Sequence, residues 1–118
     1  MLTEKDYCDY DTCVALEEVG MPLKTQIVRS YAKEGILTSK IYPNRPSLYE
    51  AQKWLREEKK LIVLVGFDFC PFTSEIVYNW VIVVNGNIAK KSSYTYDYYE
   101  TALDEGIKEA VKLLKEEK

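Results

Sequence analysis

Tyr78 and Trp80 stand two apart in a β-patterned run, and Lys90 and Lys91 follow the next turn. Residues two apart on a strand share a face, so both rings can belong to one platform. An aromatic platform flanked by lysine suits a protein interface, or the stacking of single-stranded bases with phosphate contacts alongside. The same residues also fit a face buried under a helix or a dimer partner, because large aromatics are highly buried on average. Both readings stay open at this point. Ten tyrosines, with Tyr94, Tyr96, Tyr98 and Tyr99 clustered, would enrich an interface, although each also fits a half-buried packing role with a wet hydroxyl.

The groups that ordinarily carry catalysis are sparse. Histidine is absent, which removes the commonest general base, the commonest metal ligand and every Ser-His or Cys-His triad. No pair of carboxylates is placed by spacing at a shared strand end, and no nucleophile sits on a recognisable elbow. The five glycines (20, 35, 66, 86 and 106) are scattered singly, so no Gly-rich phosphate loop exists. Cys8, Cys13 and Cys70 read as free thiols of a reducing cytoplasm. A zinc site would need all three plus a carboxylate or a second chain, and buried structural thiols are the expectation. Cys70, in Phe67-Asp-Phe-Cys-Pro-Phe, is the best candidate for reactivity, yet no cation stands beside it in sequence to lower its pKa. The chain is therefore expected not to be an enzyme and to carry no cofactor or metal.

The chain has 118 residues, 47% hydrophobic and 30% charged, with formal net charge −3. That length is one domain, 1–118, able to bury roughly two-thirds of its unfolded surface. The slight acidity gives no global field for nucleic acid, which leaves such binding as the less favoured alternative. The polar, acidic first residues give no secretory pattern, and no apolar run approaches the ~20 residues that span a bilayer, so a cytoplasmic location without membrane contact is expected.

Several elements must position these groups. A first helix over about Asp11 to Val19 is capped by Asp11 or Thr12 and stopped by Gly20 and Pro22. Lys24–Ser30 and Gly35–Tyr42 read as a hairpin about a Lys33-Glu-Gly35 turn. Ser47-Leu-Tyr-Glu50 is a capping box opening a second helix with Leu48, Ala51, Trp54 and Leu55 on its apolar stripe. Leu61–Phe67 is apolar on both faces, which predicts a central or doubly covered strand. Glu75–Val84 then turns through Asn85-Gly86, the residues a type I′ hairpin requires, into Asn87–Tyr96. A two-residue turn sets Val84 against Asn87 and Val83 against Ile88, and an unbroken ladder would bring Trp80 opposite Lys91. One face then holds Val77, Val81, Val83, Ile88 and Tyr94, and being aliphatic and β-branched it is expected to be the helix-covered one. The other holds Ile76, Tyr78, Trp80, Ile82, Ala89 and Lys91. The last helix, about Tyr98–Lys115, opens with Asp97-Tyr-Tyr-Glu100, and Gly106 within it marks a close approach to the sheet. The fold class is α+β, a small antiparallel sheet with about three helices packed on it.

Three segments carry a resemblance: Thr12-Cys-Val-Ala-Leu-Glu-Glu-Val-Gly-Met, Pro46-Ser-Leu-Tyr-Glu-Ala-Gln-Lys-Trp-Leu-Arg-Glu and Tyr99-Glu-Thr-Ala-Leu-Asp-Glu-Gly-Ile-Lys-Glu-Ala-Val-Lys-Leu-Leu. Together they resemble a group of small uncharacterised proteins of Bacteroidales genomes, their prophages and gut phages. The similarity spans nearly the whole chain in order, and Lys53-Trp54-Leu55-Arg56-Glu57 is its most specific part. Met21 stands where that group often has Phe, Cys13 where it often has Ala, and Glu58-Lys59-Lys60 where it usually has a histidine-containing exit. The resemblance implies a genomic setting and a cytoplasmic location, and no activity. With the missing catalytic groups it favours a non-enzymatic adaptor or inhibitor of a phage or mobile element, acting on a protein partner or on itself. The rival expectation is a nucleic-acid accessory module using Tyr78, Trp80, Lys90 and Lys91.

Overall fold

In the computed structural model, residues 2–32 and 35–116 are described. A short 3-10 turn at Glu4–Asp6 precedes α1 (Tyr10–Glu18), then come β1 (Gln26–Ala32), β2 (Gly35–Ile41) and α2 (Leu48–Glu58). They are followed by β3 (Leu61–Phe69), β4 (Ile76–Val84), β5 (Asn87–Lys91) and α3 (Tyr99–Glu116). The chain is an α+β fold with two separate antiparallel sheets, β1-β2 and β3-β4-β5.

Local chemistry accounts for the element ends. Asp9, rather than Asp11 or Thr12, caps α1, its side chain accepting from the Thr12 amide at 2.8 Å. The expected cap lay a turn too far in, because three aspartates within six residues all satisfy the same rule. Gly20 ends that helix region at φ +105°, open to glycine at little cost. Ser47 takes the Glu50 amide at 3.0 Å while the Glu50 carboxylate reaches the Ser47 amide, which completes the capping box of α2. Asn85 and Gly86 hold φ of 53° and 79°, the positive pair of a type I′ turn. Of the hairpin expected about residues 33–35, both strands form, and its turn at 33–34 lies outside the described residues.

α1, α2 and α3 share one side of the three-stranded sheet. The core joins Cys13 and Leu16 of α1 to Leu48, Ala51 and Leu55 of α2, Leu103, Ile107 and Val111 of α3, and Leu61, Val63, Trp80 and Ile82 of the sheet. Gly106 lets α3 sit close, since a Cβ there would stand 2.8 Å from Val63 Cγ1 and 3.0 Å from Trp80 Cβ. Two expectations about this sheet are corrected. β3 is an edge strand, with order β3-β4-β5, and not a central one. The helix-covered face carries Trp80 and Ile82, and not Val77, Val81, Val83 and Ile88. Both faces of β4 are apolar, so alternation does not tell them apart. Volume does, because the indole fills the space that Gly106 leaves open.

β1 and β2 pair with each other along seven positions, from Gln26↔Ile41 to Ala32↔Gly35, and with no strand of the other sheet. This ribbon is tied to the body at its base, where Lys40 pairs with Glu17 and the Tyr42 hydroxyl donates to Glu17 at 3.2 Å. The radius of gyration is 16.6 Å, above the about 13.5 Å of a compact chain this long.

Candidate functional site

The four residues singled out from sequence part company. Trp80 is only 5% exposed, and its ring is core under α3. Its indole N–H donates to the Tyr96 hydroxyl at 3.3 Å, so the buried donor is satisfied. The outward platform expected of it does not form. Tyr78 is half-buried and meets Tyr99 edge-on, ring centroids 6.0 Å apart. Its backbone bridges Tyr96, so the segment after β5 returns along the same edge of β4.

The lysines are displaced by an irregularity. Val84↔Asn87 and Val83↔Ile88 pair as the turn dictates, but a register shift between Ile82 and Val83 sets Ile82 against Lys90 and Val81 against Lys91. Trp80 therefore does not oppose Lys91. The extra residue turns Lys90 toward α3, where its ammonium meets Glu109 at 2.6 Å. That hydrogen bond raises the Lys90 pKa and lowers that of Glu109. Lys91 stays on the uncovered face, exposed. Trp80, Lys90 and Lys91 do line one open cavity of about 370 Å³ with Tyr94 and Tyr96, but Glu105 and Glu109 share its wall. A phosphate would meet two carboxylates there, and the free cation count is one.

The exposed aromatic surface lies elsewhere, on residues that alternation alone marks. All three phenylalanines of the chain fall within six residues, at 67, 69 and 72. They occupy the far end of the β3-β4 hairpin and are 67%, 58% and 94% exposed. Phe67 and Phe69 pair across the ladder with Tyr78 and Ile76, on the same face that carries Trp80 nearer the body. α3 begins at Tyr99, against Tyr78, so this face runs on past the helix layer with nothing described above it. Phe67 and Phe69 meet edge-on at 6.2 Å and 89°, a favourable aromatic geometry that holds the rings as one surface. At about 200 Å² a ring, the three present roughly 400 Å², the size of the largest apolar patch on a typical monomer.

The turn that carries Phe72 is closed by its own backbone. The Cys70 amide donates to Glu75 O at 2.8 Å, the Ser74 amide to Cys70 O at 2.9 Å, and Ser74 holds φ 59°. Cys70 lies at this turn with its thiol half-exposed. Hydrogen bonds from the Thr73 hydroxyl and from the Phe72 and Thr73 amides lower its pKa. The cause is the turn itself and not a neighbouring cation. Cys8 and Cys13 are fully buried, and burial pushes the Cys8 pKa up and that of Cys13 up to about 11.

A charged cleft of about 410 Å³ lies between the N-terminal turn and α3, and several of its charges pair with one another. Lys108 meets Asp9 and Asp104 at 3.2 Å each, and Arg45 pairs with Glu4. Among the described residues no group of three potential metal ligands is gathered, and no helix is long and apolar enough to cross a membrane. Neither a family model, nor a curated protein, nor a solved structure matches the chain.

Proposed function

We propose that this is a non-enzymatic protein-interaction protein, an adaptor or inhibitor of a phage or mobile element, whose contact surface is the aromatic end of the β3-β4 hairpin. One observation carries the reading: every phenylalanine in the chain is spent on solvent at that end while the core is built without any. Exposed phenylalanine is costly to keep wet, and burying each ring in a partner returns about 1.5–3 kcal/mol. Three such rings on a two-stranded ribbon make a small, rigid anchor of the kind that dominates interface energy. The phage setting is supported by the resemblance of the Lys53-Trp54-Leu55-Arg56-Glu57 helix and its flanking segments, and the location that goes with it is the cytoplasm.

The test is the Phe67→Ser/Phe69→Ser/Phe72→Ser variant beside the wild type in tagged capture from Bacteroidales lysate, with and without nuclease. The wild type is expected to retain a discrete, nuclease-resistant protein that the variant loses. Equal recovery by both proteins, or recovery that nuclease abolishes, would overturn the reading.

A further inference from the structure

We infer that the free edge of β3 pairs with the same edge of a second copy, antiparallel about a two-fold axis at Gly66, joining two three-stranded sheets into one. The pairing uses the backbone of Val65 and Phe67 and stands whether or not the aromatic rings bind a foreign partner.

Hydrogen-bonded pairs alternate along an antiparallel ladder. The Cys70 amide donates to Glu75 O one step beyond Phe69↔Ile76, so the even-numbered residues of β3 bond to β4. The odd-numbered residues turn their backbone groups outward, to the edge. Side chains of the same protein close that edge at both ends. Gln52 of α2 donates its carboxamide N–H to Val63 O at 2.6 Å, and Asp68 Oδ1 accepts from the Phe69 amide at 2.8 Å. Between these caps lie the N–H and C=O groups of Val65 and Phe67, and no other described segment pairs with them. The far edge of the sheet is protected: β5 is five residues long, carries Lys90 and Lys91, and gives way to the Tyr96 bridge on Tyr78. β3 runs for nine residues without lysine or proline, although short strands, lysine and proline are what blunt an edge against pairing.

The open set is its own complement. In a two-fold antiparallel pair centred on Gly66, Val65 of each copy faces Phe67 of the other, and all four groups of each copy find a partner. Centring on Val65 would set the Phe67 amide against the capped Val63 O, and centring on Phe67 would set Val65 O against the capped Phe69 amide. The side chains suit the same register. Val65 meets Phe67 on one face, a β-branched and aromatic cross-strand pair. The two Gly66 residues meet where paired strands approach most closely. Asp68, the one charge on β3, falls opposite Leu64, which keeps the two carboxylates roughly 14 Å apart along the seam. A single strand pair is a small contact, so the dimer is weak.

Sedimentation equilibrium from micromolar to near-millimolar concentration is expected to show a monomer–dimer equilibrium in the wild type. Val65→Pro keeps all three phenylalanines and removes an N–H that points away from β4, a position where an edge strand tolerates proline. It is expected to raise the dissociation constant about thirtyfold or more, because the symmetry removes two of the four hydrogen bonds at once, with the far-UV spectrum unchanged. Phe67→Pro repeats the test if Val65→Pro fails to fold. The register is read separately, by oxidation with diamide in a Cys70→Ser background. Gly66→Cys should form a disulfide-linked dimer, its Cβ displacing only Asn79 Oδ1, the end of a flexible side chain. Asp68→Cys should not, because its two copies lie beyond the about 7 Å between Cα atoms that a disulfide spans. A wild type that stays monomeric throughout, a dimer that survives both proline variants, or equal cross-linking at the two cysteine positions would overturn the inference.

Discussion

Gly106→Ala isolates the contact that sets α3 on the sheet. On helix propensity alone the change should help, by about 1 kcal/mol. The structure predicts the opposite sign. The added Cβ would lie 2.8 Å from Val63 Cγ1, 3.0 Å from Trp80 Cβ and 3.2 Å from Trp80 Cγ, where comfortable carbon contacts begin at about 3.5 Å. Trp80 Cβ is fixed by the backbone, and its Cγ is held by the packing of the buried indole and the hydrogen bond of that ring to Tyr96, so a side-chain rotation does not relieve the contacts. The helix must instead withdraw by roughly half an ångström or more, and a gap of that size forfeits about a quarter to a half of each contact well along the seam. Leu103, Ile107 and Ala110 share that seam and are all fully buried. Overpacking costs about 1–3 kcal/mol, and three violated contacts put this case in the upper part of that range, about 2–3 kcal/mol, so the net loss after the propensity gain of about 1 kcal/mol is about 1–2 kcal/mol. At about 2.1 cal/mol/K per residue of unfolding entropy, each kcal/mol moves Tm by about 4 °C in a chain of this length. Differential scanning calorimetry is therefore expected to show Tm lower by about 4–8 °C. A Tm that is unchanged, or raised by the propensity term, would refute the close approach and with it the placement of Trp80 beneath α3.

Two predictions concern ionisable groups. Thiol titration of the native protein is expected to find one fast cysteine, Cys70, and three after denaturation, and a second fast thiol would contradict the burial of Cys8 and Cys13. Asp104 is half-buried and accepts from the Thr12 hydroxyl at 2.7 Å. Burial pushes its pKa above the ordinary 3.8, against the Thr12 and Lys108 hydrogen bonds. The native state thus binds this proton more tightly than the unfolded chain does, so the residue's contribution to stability grows as pH falls from its raised native pKa to 3.8. Urea unfolding across that window should show the stability of the wild type relative to Asp104→Asn rising as pH falls, and a difference that does not change with pH would refute the assignment.

What the chain discloses by itself is its punctuation. Ser47 with Glu50, Asn85-Gly86, Gly20 and Gly106 each meet a local stereochemical demand, and each behaves in the structure as its type requires. Burial of a strand face is a different kind of fact, because it depends on what the rest of the molecule brings against it. β4 is apolar on both sides, so the position of α3 had to decide which side was core, and Trp80 went with the helix. The shift between Ile82 and Val83 has no signature in Ile88-Ala-Lys-Lys, and one inserted residue was enough to send Lys90 and Lys91 to opposite faces. The aromatic end was legible in part. Val65, Phe67 and Phe69 alternate across the predicted strand end at Phe67, and the third phenylalanine, Phe72, follows in the next few residues. Only the point where α3 begins shows that these rings are bare.

The central claim is that the aromatic hairpin end does the binding, and paired capture tests it most directly. Wild type and Phe67→Ser/Phe69→Ser/Phe72→Ser should melt within about 0.5 kcal/mol of each other, because the three rings are exposed. At matched fold, a nuclease-resistant partner retained by the wild type alone is the predicted result. The same partner retained equally by both proteins would contradict the account.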